Sequence, residues 1–333
     1  MPQTISCSKS RVVASTPLSA KRGWLVLPFC LLLLSSCAPS QKWHTFTVVY
    51  FDTVCEIKIF SSSDKLQSAK QEIDRVFSEV EHLFSPGSED YTSPEVIRLF
   101  QKALAVHHNS DGDFDLSVFP LIELWGFPDR SYRIPGEEEV QHILRLVDMK
   151  KIKQEENGII LPAGMKLDWG AIAKGYGIDG AAASLQSLEI PRGFINAGGD
   201  LFCWGTNPDN QPWQIGIKHP RTEGFVGVLS LTDIGTATTG DYQRYFIRDG
   251  LRYHHIFNPQ TGLPAAGKQS VTVIGPETTL CDALATALFV SAHPETVLSH
   301  YADYGAIVID ADGCLDQLGK EYSFRPVHQE KSR

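Results

Sequence analysis

From Gly193 onward the chain is a succession of short runs in which apolar and polar side chains alternate, and this pattern constrains the fold most. The runs are GFINAGGDLFCWG (193–205), WQIGIKH (213–219), FVGVLSL (225–231), YQRYFIRDGLRYHHIF (242–257), SVTVIG (270–275) and GAIVIDADG (305–313). A side-chain period of two suits strands with one face buried, and short spacings between such strands favour antiparallel pairing. The Arg248-Asp249-Gly250 step predicts a tight hairpin, because Asp-Gly tolerates the positive φ angles of that turn. Earlier, TFTVVYFDTVCEIKIF (45–60) predicts two more strands joined around Phe51-Asp52-Thr53.

Helices are confined to particular places. Asp64 precedes apolar residues at helical spacing: Leu66, Ile73, Val76, Phe77, Val80 and Leu83. Ser93-Pro94 opens a second helix with Val96, Leu99, Phe100 and Leu104 on one face, ending near His107-His108. Glu137 to Met149 predicts a third, with acids leading and Lys150-Lys151 trailing as the helix dipole prefers. One late helix runs from about Thr279 to Ser291. This order of elements predicts an α+β fold, with mixed or antiparallel sheets packed against helices.

The N-terminal segment describes delivery. Lys9, Arg11, Lys21 and Arg22 form a basic leader without an acid, and Trp24 to Leu34 is an apolar run too short to span a bilayer. It ends in Leu34-Ser35-Ser36-Cys37, which resembles a bacterial lipobox. That resemblance implies a leader at 1–36, a lipidated Cys37 with a tether at 37–44, and anchorage to the periplasmic face of the inner membrane, with an ordinary signal peptide as the alternative; the remainder, 45–325, is expected to form one domain. Without its four leader cations, a chain of formal charge −9 becomes more acidic still, so nucleic acid is not an expected partner. Cys55, Cys203, Cys281 and Cys314 are widely spaced and show no CxxC pair, which argues against zinc and leaves disulfide pairing open.

Four groups of residues offer chemistry. In KLDWGAIAKGYGIDGAAASL (166–185), a helix starting near Ala171 would present free backbone N–H groups beside Lys174, a place for phosphate. Glycines 170, 175 and 177 would let a ligand approach the backbone, or serve only helix packing. Asn196-Ala-Gly-Gly-Asp200 reads equally as a tight turn or as a ligand loop. Asp282 and Thr286, at i and i+4, share a helix face and would offer oxygen to a hard cation such as Mg²⁺; Asp282 as a helix cap and Thr286 as core is the plainer alternative. The stretch Thr236 to Tyr245, continuing to His254-His255 and Gly262, gathers hydroxyls, an aspartate, an arginine and paired histidines on one hairpin, with His255 a base, a ligand or simply a packed residue.

Taken together, these groups resemble the FAD:protein FMN transferases, the ApbE family of flavin transferases. Blocks at Ser110–Phe127, 168–180, Asn196–Asp200, 238–262 and Asp282–Val290 match in order. The resemblance implies a Mg²⁺-dependent flavinyltransferase of that family's fold, with FAD as substrate. It would move FMN from FAD to a threonine or serine hydroxyl on a target redox protein and release AMP. FAD contacts fall on Phe114, Asp115, Asp168, Lys174 and, beside His255, Ile256, and metal contacts on the Ala171 carbonyl, Asp282 and Thr286; His255 is the candidate catalytic residue from its own hairpin and not from the resemblance. Phe51 stands at the edge of the FAD pocket, in a Phe51-Asp52-Thr53 hairpin where the family has Met-Gly-Thr. Asn258 replaces a family aspartate, and SPGSEDYTSPE after Phe84 matches the family's flavin loop only loosely. Implied acceptors are subunits of membrane redox complexes such as the sodium-pumping NADH:quinone reductase. The alternatives are an FAD pyrophosphatase that yields FMN and AMP, and a flavin-binding lipoprotein without catalysis.

Overall fold

Strands β1 (Gln41–Tyr50) and β2 (Thr53–Ser62) pair residue for residue around a two-residue turn. Phe51 and Asp52 both adopt positive φ there, 56° and 54°, the mirror-image turn that matches the twist of a hairpin. The computed structural model describes residues 40–85, 88 and 91–327. The leader, Cys37 and part of the loop after Phe84 lie outside the described residues.

Next comes α1 (Lys65–Phe84), which buries Ile73, Val76, Phe77, Val80 and Leu83 as their spacing predicts, although Asp64 makes no capping bond from its side chain. In α2 (Pro94–Asn109) the Ser93 hydroxyl does accept from the Glu95 N–H, at 3.2 Å. Short helix α3 (Phe119–Leu124) leads to α4 (Glu137–Leu144). The predicted run to Met149 stops early because Asp148 turns the chain: its carboxylate accepts from Lys150 N–H (3.0 Å) and its own N–H goes to Ser117 Oγ (2.8 Å). A small hairpin of β3 (Lys153–Glu155) and β4 (Gly158–Ile160) precedes α5 (Ala173–Ser187).

The alternating runs form β5 (Arg192–Ala197), β6 (Asp200–Trp204), β7 (Trp213–Lys218), β8 (Phe225–Leu231), β10 (Tyr245–Arg248), β11 (Leu251–His254) and β12 (Lys268–Gly275), while β9 (Ile234–Gly240) falls in none of those runs and is buried at most of its positions. Then follow α6 (Thr278–Val290), α7 (Pro294–Leu298), β13 (Gly305–Asp310), β14 (Leu315–Gly319) and β15 (Phe324–Pro326). One eight-stranded sheet, in the order β1-β2-β5-β6-β9-β12-β13-β14, is antiparallel at every step. The class is α+β, as the sequence predicts.

Both faces of that sheet are covered. On one lie α1, α5 and α6, joined in the main core by Ile57, Ile59, Phe77, Ile178, Leu284 and Leu288. On the other, Leu201, Cys203, Ile274 and Ile307 meet Trp213, Ile217, Leu229 and Leu231 of the small sheet β15-β8-β7. Helix α6 is therefore apolar on almost every side, and only Leu280 and Thr286 keep partial exposure. Cys55, Cys203 and Cys281 are buried and Cys314 is exposed, all as free thiols.

Candidate active site

Helices α5 and α6 approach so closely that Gly175 is needed at their crossing: a Cβ there would lie 2.4 Å from the Thr278 carbonyl oxygen. Asp179 of α5 secures this contact by capping α6 from outside. Its carboxylate accepts from Thr278 N–H (2.9 Å), Thr279 N–H (2.8 Å) and Thr279 Oγ (2.6 Å). Asp282, one turn further along α6, thereby faces the first turn of α5.

At that junction Lys174 meets two buried carboxylates. Its ammonium contacts Asp200 closely and lies 3.4 Å from both oxygens of Asp282. Asp200 starts β6 straight after Gly198-Gly199, a turn with φ of 64° and 110°, so Asn196–Asp200 is a tight turn that delivers a buried carboxylate to the junction. Thr238 N–H holds Asp200 Oδ1 at 3.1 Å. Burial alone would depress the lysine, yet Asp200 and Asp282 outweigh it and hold the ammonium well above its usual value. Burial pushes Asp282 up to about 7 despite Lys174, and Asp200 adds to the rise. An exposed ion pair would lower the acid instead; here the desolvation of a fully enclosed carboxyl outweighs the attraction of the ammonium it shares with Asp200.

Oxygen donors surround this point. The Gly175 N–H, which a regular turn would direct at the Ala171 carbonyl, donates to Asp282 Oδ2 (3.1 Å), and no backbone N–H of the described residues replaces it on Ala171. Thr286 Oγ1 reaches Thr239 Oγ1 at 3.1 Å, a lateral contact that leaves the hydroxyl lone-pair capacity. An unclaimed carbonyl, a buried carboxylate and a threonine hydroxyl form an all-oxygen set that fits a hard divalent cation.

Asp168 and His255 belong to the same electrostatic neighbourhood. Burial raises the Asp168 carboxyl, with the Gly170 N–H (3.0 Å), Arg244 and Lys174 opposing the rise. His255 sits at the base of the β10–β11 hairpin. Its Nδ1 lies 3.2 Å from the Arg244 carbonyl, which can only accept, so the ring lone pair is on Nε2. Burial foremost, then Arg244 and His254, push this largely enclosed imidazole down to about 3. The ring is therefore neutral at working pH, a weak base and a good hydrogen-bond acceptor.

The remaining predicted contacts are more enclosed. Phe114 and Ile256 are buried core side chains. The Asp115 carboxylate is engaged internally by Ser117 N–H (2.8 Å), Ser117 Oγ (2.5 Å) and Met149 N–H (3.0 Å), so a ligand would meet this residue through its backbone. Phe51 packs edge-on against Phe77 (5.0 Å between centroids) and over Gly177, where a Cβ would meet its ring at 2.9 Å. Glycines 175 and 177 are thus filled by protein rather than kept open for a ligand, which corrects that part of the sequence reading. Sequence reasoning assigned no role to Asp179; it lies inside a quoted block, but its partners Thr278 and Thr279 are 99 and 100 positions away.

Residues 51–306 match the ApbE family. The chain is 32% identical over 296 residues to the FAD:protein FMN transferase of Vibrio cholerae serotype O1, covering 81% of this chain and 87% of that protein. Its fold is similar to the crystal structure of the ApbE protein from Thermotoga maritima, with a TM-score of 0.76, 30% identity and coverage of 83% of this chain and 97% of that one. It is also similar to the flavin transferase ApbE from Vibrio cholerae, with a TM-score of 0.75, 26% identity and coverage of 85% and 98%. With the family match spanning residues 51–306 and a relative of 32% identity covered over most of its length, this chain belongs to the ApbE family.

Proposed function

We propose that this chain is an FAD:protein FMN transferase, moving FMN from FAD to a threonine or serine hydroxyl of a target protein. The observation that carries this reading is the oxygen set of Ala171, Asp282 and Thr286 directly beside Lys174. The acceptor oxygen bonds to the FMN-side phosphorus while the bond from that phosphorus to the bridging oxygen breaks. AMP leaves with the bridging oxygen, and the hydroxyl proton passes to solvent. Mg²⁺ on that oxygen set would supply neutralisation of the charge developing on the phosphates. Lys174 holds a phosphate oxygen. Neutral His255 accepts a hydrogen bond through Nε2 and so orients a hydroxyl without taking its proton fully.

The leader and Cys37 support anchorage at the periplasmic face of the inner membrane, beside acceptor subunits of membrane redox complexes such as the sodium-pumping NADH:quinone reductase. Cys37→Ser should then stop incorporation of labelled fatty acid, and label persisting in that variant would remove the anchor. The function is tested with purified protein, FAD and Mg²⁺, following AMP release and the mass of a candidate acceptor. Transfer predicts flavin bound to the acceptor. AMP and FMN released equally with or without acceptor would identify a hydrolase instead, and no AMP under either condition would leave a flavin-binding protein.

A further inference from the structure

Lys174 and a divalent cation compete for the same carboxylate. The ammonium lies 3.4 Å from both oxygens of Asp282, so a cation on Asp282 brings two like charges together unless the lysine has somewhere else to rest. Asp200 offers that place. It is 2% exposed, it follows a two-glycine turn, and Thr238 N–H fixes its Oδ1 at 3.1 Å, which leaves Oδ2 facing the ammonium. Asp200 also comes from β6 and not from α6, so its hold on the lysine does not depend on what Asp282 binds.

We infer that Asp200 is a positioning residue that holds Lys174 aside when a divalent cation takes Asp282, keeping the lysine at the mouth of α5 for a phosphate oxygen. This rests on the metal reading given above. Without Asp200 the ammonium falls back on Asp282 and competes with the cation.

The probe is Mn²⁺, which uses the same oxygen ligands as Mg²⁺ and whose free form is counted by electron paramagnetic resonance. Titrations of the purified chain saturated with FAD compare wild type, Asp200→Asn, Lys174→Met and the double variant. Asparagine keeps the acceptor for Thr238 N–H and removes only the charge. Asp200→Asn is expected to weaken Mn²⁺ about tenfold or more when Lys174 is present, the scale of one charge-assisted hydrogen bond. In the Lys174→Met background the same change should alter Mn²⁺ affinity by no more than about twofold. An equal loss in both backgrounds would show that Asp200 acts on the cation by its own charge and overturn the inference, as would no loss in either. Lys174→Gln, which keeps a donor for the carboxylates, replaces Lys174→Met should that variant not fold. Asp282→Asn separates the two claims: Mn²⁺ binding unchanged in that variant removes the metal site itself, whereas its loss there with an unaffected Asp200→Asn removes only the role of Asp200.

Discussion

Lys174→Met should destabilise the fold, by an amount that depends on pH. The substitution keeps the aliphatic stem and deletes the ammonium between Asp200 and Asp282, whose side chains are 3% and 6% exposed. Removing one partner of a buried ion pair costs about 3–5 kcal/mol. The lysine side chain is itself 28% exposed, so water recovers some of that loss and the lower end, about 3 kcal/mol, is expected. Asp282 can escape by binding a proton. Its carboxyl stands at about 7 with the lysine present, and loss of the lysine raises it further. Above about pH 7 the native variant therefore holds a proton that the native wild type has lost, and the difference in stability grows by up to about 1.4 kcal/mol per pH unit until the variant ionises too. Urea unfolding at about pH 6 and about pH 8.5, with equal m-values, measures the effect. A loss that is the same at both pH values, or below about 0.5 kcal/mol at each, would mean that Lys174 is a solvated side chain and that the two acids have other compensation.

Four further outcomes are expected. Asp282→Ala should abolish Mg²⁺-dependent AMP release, because a hydroxyl and a carbonyl do not replace a charged ligand; unchanged turnover at ordinary Mg²⁺ refutes the site. Lys174→Ala should weaken FAD by about tenfold to a hundredfold and riboflavin little, since riboflavin has no phosphate; fluorescence titration showing equal losses would place the lysine at the ring pocket or in the fold. Gly175→Ala should cost about 3 kcal/mol, because its Cβ would sit 2.4 Å from the Thr278 carbonyl oxygen, and thermal unfolding at the wild-type temperature would contradict the close helix crossing. His255 has a depressed native pKa of about 3. The unfolded chain therefore takes up the proton first as pH falls below about 6.5, and stability declines from there toward pH 3. His255→Gln should flatten that part of the Tm against pH curve, and an unchanged slope would count against the shift.

Local signals were legible in the sequence because their causes are local. Alternation found the strands, Asp249-Gly250 found the β10–β11 turn, and Ser93-Pro94 found the start of α2. The early end of α4 was hidden, because it follows from Asp148 engaging Ser117, a residue 31 positions away. The Asp282–Thr286 face and Lys174 were visible as residue types at a useful spacing. What they touch was not, since the Lys174–Asp200 contact depends on how β6 lies beside α5 in the assembled sheet. Gly175 shows the ambiguity most directly: a missing side chain reads the same whether a ligand or another helix fills the space.

The Asp179 cap on α6 joins residues 99 and 100 positions apart, so the two halves of the junction come from well-separated lengths of chain. Strands β5 to β12 lie between the two helices in sequence. Contacts of such long range form slowly and close a large loop, so ligand competence should arrive as one of the last events of folding, not as a property of an early intermediate. The same linkage makes the first turns of α5 and α6 a single cooperative unit, whose amide hydrogens should exchange together and gain protection together when FAD binds.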